Sequence, residues 1–379
     1  MKSESKNLRI AIIGCGKIAD QHVFAARRSG GCEVVALCDR EVLMASQLGE
    51  RFGITACFAD AAEMLRVAQP EVVHITTPPQ GHFSLAKLCL EAGSHVYLEK
   101  PFTVTAPEAE ELIRLAESRG LKLTAGHNLQ FTLEMLEMRR LVKQGFLGGK
   151  PVHLESHFSY GLGDTSYVGP LLGNRQHWVR QLPGQLLHNI LSHGIAKLCE
   201  FLDDGQVEVI ASAHQSEQLR SLGGAEILDE LRVLIRDGSG TTAFFCFSTQ
   251  IKPGRNELRI CGPVNSITVD HASGSLIRHA NRAYKSYLTF FAPPLVNARQ
   301  HFRNAWLNFK NFLTGKLHQD AGMKELVDCF YQSIRNDSAP PLSYREILLT
   351  ARIMDEIFAQ IYKTKTPAST APAAPKPTP

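Results

Sequence analysis

Residues 8–19 read LRIAIIGCGKIA, a short apolar run ending in glycine, one residue, a second glycine, and a small residue three places later. Apolar throughout and only a few residues long, the run reads as a strand buried on both faces, and the glycines mark a tight turn into a helix near Ile18–Arg28. In such a turn Gly14 permits the bend, Gly16 lets backbone approach a pyrophosphate, and Ala19 lets helix and strand pack closely. The free N–H groups of the helix and its dipole then attract phosphates.

The same alternation continues. CEVVALCD precedes a helix at 41–52, EVVHITTP one at 80–92 and HVYLEKP one at 107–119, and LKLTAGHN closes the series. Such a pattern predicts a doubly wound parallel sheet over residues 1–127. Asp39 ends the second strand, near the spacing at which a carboxylate reaches the adenine-ribose hydroxyls, so the turn reads as a dinucleotide site rather than a structural glycine bend. A carboxylate there favours NAD over NADP. Arg40 keeps NADP open, because a guanidinium can bind a 2′-phosphate, stack on adenine, or simply be a solvated charge.

After Asn128 the rhythm changes to a helix, a strand, a glycine-rich loop, a helix near 186–202, and then strands joined by pieces such as DGSG and CGPVN. This reads as a second α+β domain, residues 128–363, with a large, mainly antiparallel sheet. Residues 364–379, TKTPASTAPAAPKPTP, have too little apolar area to offset the entropy of ordering and read as a disordered tail. Two domains and a tail suit 379 residues at roughly 100–200 per domain. Nine scattered cysteines without a C-x-x-C pair point to a reduced cytoplasm and away from a Cys-based zinc site. A net charge of +4 is too mild to imply nucleic acid. The polar MKSESKN and the short apolar run behind it do not predict a signal peptide, and no stretch approaches the roughly 20 apolar residues that span a bilayer.

The fifth strand ends in Glu99-Lys100-Pro101, at the carboxyl edge where open parallel sheets bind ligands. With GCGKIADQH (Gly14–His22), TTPPQGH (Thr76–His82) and AGSHVYLEKPF (Ala92–Phe102), the chain resembles the glucose–fructose oxidoreductase/inositol dehydrogenase family, Gfo/Idh/MocA. The weaker QGFLG and IRNDSAPPLSYRE extend the likeness over nearly the whole chain. The resemblance implies a Rossmann domain followed by a sheet domain, assembly as a homo-oligomer, and hydride transfer between NAD(P) and a hydroxyl-bearing carbon of a sugar, cyclitol or nucleotide-sugar. It also implies that Lys17, Ile18, Thr77, Pro78, His82 and Glu99 join Gly14, Gly16, Ala19, Asp39, Arg40 and Lys100 around the cofactor, and that Asn128 lies near the substrate.

The family's catalytic lysine maps onto Lys100, and its Asp-x-x-x-His pair onto Asn189 and His193 in GQLLHNILSHGIAKL. Spacing of i, i+4 places both on one helix face. Asn stands where the family has Asp, and Asn can orient a substrate but cannot ionise. His188 beside it is a candidate to supply the lost function. Hydride transfer from a carbinol carbon needs a group that takes the hydroxyl proton near neutral pH. His193 titrates there unperturbed, whereas Lys100 does so only if desolvated or beside a cation. The favoured assignment is His193 as proton acceptor and Lys100 as the cation holding the oxygen, with the reverse open. His177 and Trp178 are candidates for the pocket wall, with packing as the plain alternative. His153, His157, His188 and His193 have no carboxylate at ligand spacing, so no metal is expected. Two other readings stand beside this one: a catalytically silent dinucleotide-binding sensor or scaffold, and a redox-neutral enzyme that reduces and reoxidises tightly held NAD in each turnover.

Residues 271–319 contain no Asp or Glu, yet carry Arg278, Arg282, Lys285, Arg299, Arg303, Lys310 and Lys316. Within 295–313, Leu295, Ala298, Phe302, Trp306, Phe309 and Leu313 form an apolar helical stripe. Packing on the sheet or on another subunit is the plain expectation for it. The alternatives are peripheral contact with anionic membrane and a basic lip for the phosphates of a nucleotide-sugar.

Overall fold

In the computed structural model, which describes residues 7–162, 165–203, 205–224, 226–317 and 321–363, the first run of apolar segments forms a six-stranded parallel sheet. Its strands are β1 (Leu8–Ile13), β2 (Cys32–Cys38), β3 (Cys57–Phe58), β4 (Val72–Ile75), β5 (His95–Leu98) and β6 (Leu123–Ala125), in the order β3-β2-β1-β4-β5-β6. The order reverses between β1 and β4, and ligands of open sheets bind beyond the strand ends at such a switch. Five helices connect the strands: α1 (Ala19–Arg28), α2 (Val42–Phe52), α3 (Ala61–Ala68), α4 (His82–Glu91) and α5 (Ala106–Ser118). Ile10, Ala11 and Ile12 are wholly buried, as a strand covered on both faces requires. Side chains fix two of the helix starts. Asp60 accepts the Glu63 N–H ahead of α3, and Glu108 reaches back to the Thr105 N–H at the start of α5.

The second half places α6 (Leu133–Lys143), β7 (His153–Ser159), α7 (Thr165–Gly173) and α8 (Gln185–Cys199) before a run of strands. These are β8 (Glu208–His214), then, after the short α9 (Glu217–Ser221), β9 (Glu230–Arg236), β10 (Thr242–Ser248), β11 (Asn256–Cys261), β12 (Ser266–Asp270) and β13 (Ser275–His279). The seven-stranded sheet runs β13-β12-β11-β7-β10-β9-β8. Only the β7–β10 pair is parallel. Three helices complete the described chain: α10 (Leu288–Leu313), α11 (Ala321–Arg335) and α12 (Tyr344–Lys363).

The buried apolar residues form two clusters, and the expected boundary at residue 127 does not separate them cleanly. Met323, Leu326, Val327, Phe330 and Tyr331 of α11 are buried in the same apolar cluster as β1, β4 and β5, while α12 packs on α8 and α5. The chain therefore returns to its first layer at the end. The expected tail, residues 364–379, lies outside the described residues.

Candidate active site

The glycine turn has the geometry its sequence requires. Gly14 adopts φ +96°, and a Cβ there would meet the Thr77 nitrogen at 2.8 Å, so β1 and the segment after β4 touch backbone to backbone. A Cβ on Gly16 would meet nothing within 4 Å, because this glycine faces a cavity of about 790 Å³. Asp39, Arg40, Thr77 and Pro78 line the same cavity. Asp39 holds the turn in place: its carboxylate accepts the Cys15 N–H at 2.7 Å and the Glu41 N–H at 3.0 Å. Thr77 Oγ1 is buried without a hydrogen-bond partner. An open backbone cradle at a helix start, a carboxylate at the second strand and an unsatisfied hydroxyl beside it fit a dinucleotide.

The second domain closes over this cavity. Gln176, Trp178 and Gln181 form part of its wall, and Gln80 Nε2 donates to the Trp178 carbonyl at 2.7 Å across the two domains. His177 stacks on Trp178.

Six expected cofactor residues, Lys17, Ile18, Ala19, His82, Glu99 and Lys100, do not line this cavity. Lys17 is exposed and does not line the cavity, and Ala19 is buried in the core. Ile18 is half-buried and packs against the core at the N-cap of α1. His82 is buried beneath the cleft. Its Nε2 lies 2.9 Å from the Thr77 carbonyl and its Nδ1 3.0 Å from that of Pro101, so the ring sits between the two ligand-facing loops, its one N–H donating to one of these carbonyls.

Glu99 also points inward. Its carboxylate accepts the Lys100 N–H at 3.1 Å and lies 3.1 Å from His22 Nε2. Beyond His22 a chain continues: His22 Nδ1 is 2.9 Å from His74 Nδ1, and His74 Nε2 is 2.9 Å from the Tyr331 hydroxyl. Burial, then the neighbouring His22, hold His74 well below its ordinary pKa, so its ring is neutral and has one N–H. One consistent arrangement has Tyr331 donating to His74, His74 to His22 and His22 to Glu99. This buried chain ties α11 to the base of Lys100. His22 lies within the GCGKIADQH motif, but neither its partner His74 nor Tyr331 has any local sequence signal.

Lys100 Nζ crosses the domain boundary and donates to the backbone carbonyl of Asn189 at 3.2 Å. Burial lowers the Lys100 pKa, and the Glu99 carboxylate works against that shift. On α8, Asn189, His193 and Lys197 fall at i, i+4 and i+8 and so occupy successive turns of one face. His193 stacks on Phe158 with ring centroids 5.9 Å apart, and its Nδ1 is buried without a partner. Burial first, and then the charge of Lys100, hold the imidazole well below its ordinary pKa. With no carboxylate four residues earlier to oppose this, His193 is a neutral ring beside a cation. Asn128 lies at the start of the turn Asn128–Phe131, its Oδ1 buried and unsatisfied.

Lys197 is the residue that sequence reasoning misses. It is completely buried, its Nζ donates to Asn256 Oδ1 at 3.0 Å, and burial pushes its pKa down to about 7 against the pull of Glu134 and Glu257. His271 Nδ1 lies 2.8 Å from Glu134 Oε1, and the His271 Nε2 is unsatisfied. The i+8 spacing from Asn189 is the available signal, but an apolar helix face gives no reason to expect a lysine to be buried.

His188 turns away from this cluster. It is buried against α12, its ring stacked on Phe358 with centroids 4.8 Å apart, and burial pushes its pKa to about 4. It therefore brings no charge to replace the missing aspartate. The four histidines considered together in the sequence are not assembled either. On β7, Ser156 faces α8 and bonds the Gly194 carbonyl, whereas His157 meets Phe244 edge to face on the other face of the sheet.

Comparison with known proteins agrees with this architecture. Residues 8–127 match the model of an oxidoreductase family with an NAD-binding Rossmann fold, and residues 135–268 match the GFO/IDH/MocA C-terminal domain. The chain is 33% identical to D-apiose dehydrogenase of Paraburkholderia graminis over 372 residues, 95% of this chain and 89% of that protein. A shorter match, 34% over 145 residues, covers 38% of this chain and 41% of the D-glucoside 3-dehydrogenase of Escherichia coli. Among solved structures, the WlbA dehydrogenase from Bordetella pertussis in complex with NADH and UDP-GlcNAcA superposes with a TM-score of 0.75 at 17% identity, covering 95% of this chain and 96% of that one.

Proposed function

Because the chain belongs to the Gfo/Idh/MocA oxidoreductase family, with an NAD-binding first domain, we propose that it is a dehydrogenase acting on a hydroxyl-bearing carbon of a sugar or nucleotide-sugar. The observation that carries this reading is the bridge from Lys100 to α8, which sets a half-buried lysine at the carboxyl edge of the parallel sheet against the helix face that carries the neutral His193 and Lys197. The names of the curated relatives supply the carbohydrate class.

NAD, when bound, supplies the acceptor for hydride at its nicotinamide ring. The residues of this chain handle the hydroxyl. Lys100 donates to the substrate oxygen and stabilises the negative charge that grows there as the proton leaves. His193, uncharged, accepts that proton, and the orphaned Nδ1 is the atom that a substrate hydroxyl would satisfy. In the reverse direction the imidazolium returns the proton to the carbonyl oxygen as hydride arrives at carbon. Asn189 presents an amide where a carboxylate would raise the pKa of His193, so the base is poised to accept rather than to hold a proton. Lys197, with Asn256 and the His271–Glu134 pair, forms a polar floor for more distant hydroxyls or for an acidic substituent. Asp39 favours NAD, and a cytoplasmic homo-oligomer completes the reading.

The test is a panel of sugars, sugar acids and nucleotide-sugars assayed for NADH formation, with the purified protein first checked for retained cofactor. Substrate-dependent NADH formation that Lys100→Met abolishes supports the proposal. Substrate consumption with a nicotinamide absorbance that returns to baseline identifies a redox-neutral reaction instead. No turnover across the panel, with NAD binding intact, overturns the reading.

A further inference from the structure

The helix α10 does not bury any residue of its 26, a span of about 39 Å at 1.5 Å per residue. It is nevertheless fixed to the protein. Gln300 donates to the Arg278 carbonyl at 3.1 Å and accepts its N–H at 2.9 Å, Asn304 donates to the Leu276 carbonyl at 3.0 Å, and Asn308 to that of Ser273 at 2.8 Å. This ladder of amides at i, i+4 and i+8 caps the free edge of β13, so the polar face of the helix is the docked one. The apolar stripe consequently faces outward: Leu295 is 69% exposed, Phe302 79% and Trp306 62%. The stripe thus does not pack on the sheet, one half of the plain expectation from sequence, while the other half, packing on another subunit, stands untouched by the orientation of the helix.

The cleft between α10 and β13, about 620 Å³, is lined by Arg278, Arg282, Arg299 and Arg303 together with Tyr284. Glu137 lines a smaller neighbouring cavity that shares Arg278 and Arg303, and it is bonded to Arg140 at 2.6 Å. No acidic residue occurs between 271 and 319. We propose that α10 and its arginine cleft form a docking surface for an anionic membrane, the aromatic stripe entering the headgroup boundary and the arginines holding lipid phosphates. A bare apolar patch would fit many partners, but one set in a stretch of seven cations without an acid fits an anionic surface. A second copy seated on the stripe is the competing occupant, and co-sedimentation with vesicles separates the two. The surface is separate from Lys100 and His193, so the proposal stands independently of the dehydrogenase reading.

Co-sedimentation of the full chain with vesicles of phosphatidylcholine, alone or mixed with phosphatidylglycerol, tests it. Binding is expected only to the mixed vesicles, with a blue shift of Trp306 emission that Trp306→Phe reports by difference, and with at least about a tenfold loss at high salt. Arg299→Glu combined with Arg303→Glu should lower the partition at least about 25-fold, at roughly fivefold per charge removed. Phe302→Ser with Trp306→Ser should also release the protein. These side chains are exposed, so NAD binding should persist in both variants. Absence of binding to anionic vesicles, or binding that survives in both variants, overturns the proposal. So does concentration-dependent self-association that Trp306→Ser removes without any vesicle binding, since the patch then belongs to a second copy. A nucleotide-sugar whose binding disappears with the paired arginine change would reassign the cleft to a soluble phosphate.

Discussion

Lys197→Met separates what the buried cation does for the reaction from what it does to the fold. In the unfolded chain a lysine titrates near 10.4, while burial brings Lys197 to about 7. A gap of about 3 units at roughly 1.4 kcal/mol each amounts to about 4 kcal/mol by which carrying that charge destabilises the folded state at pH 7. Methionine removes the penalty at similar length, but leaves Asn256 Oδ1 without its donor, which costs about 1–3 kcal/mol. The variant should therefore gain about 1–3 kcal/mol, a rise of a few degrees in Tm. Because the folded pKa lies below the unfolded one, the unfolded chain binds the additional proton between pH 7 and about 10, so wild-type stability should rise with pH across that window. The variant should lack this component of the slope. Turnover should fall at least about tenfold if Lys197 holds substrate. Thermal unfolding followed by circular dichroism at pH 7 and 9, with initial rates on the same preparations, measures all three. A Tm below wild type at pH 7, or an unchanged pH slope in the variant, refutes the reasoning.

Lys100→Met should lower kcat at least about 100-fold while NAD still binds, measured by fluorescence titration, and near-normal turnover would remove Lys100 from the chemistry. Asn189→Asp should shift the acid-side limb of the kcat/KM profile to higher pH by about one to two units, since a carboxylate about 6 Å from His193 favours its charged form and Lys100 shares that charge. A shift to lower pH would show that the limb does not report His193. Gly16→Val should weaken NAD binding at least about 100-fold with little change in Tm, because its side chain would enter the open cradle. Gly14→Ala should lower Tm instead, as its Cβ would meet the Thr76–Thr77 backbone.

The parallel sheet is legible in the sequence because each of its long strands is predominantly apolar without strict alternation and each is followed by helix-forming residues. The β3–α3 pair is not, since β3 has only two residues, too few for any period to register. Lys100 and the His193 face are legible from motif and i, i+4 spacing. The buried groups behind them are not, because His74, Tyr331 and Asn256 come from segments as much as 257 residues away from what they touch. Likewise the acid-free basic stretch is plain in the sequence, but the choice of docked face is not. A hydrophobic stripe ordinarily turns inward, and here Gln300, Asn304 and Asn308 satisfy the edge of β13 with the opposite face.

The return of α11 to the first layer bears on the order in which the protein can be made. Leu326, Phe330 and Tyr331 complete the core around β4 and β5, yet they leave the ribosome about 200 residues after β6. At roughly 5–20 residues per second that is a delay of about 10–40 s. Throughout it the nascent first domain exposes the apolar surface that α11 later covers, and His74 waits for the hydroxyl of Tyr331. The nucleotide-binding half is thus the first to be synthesised and among the last to be finished.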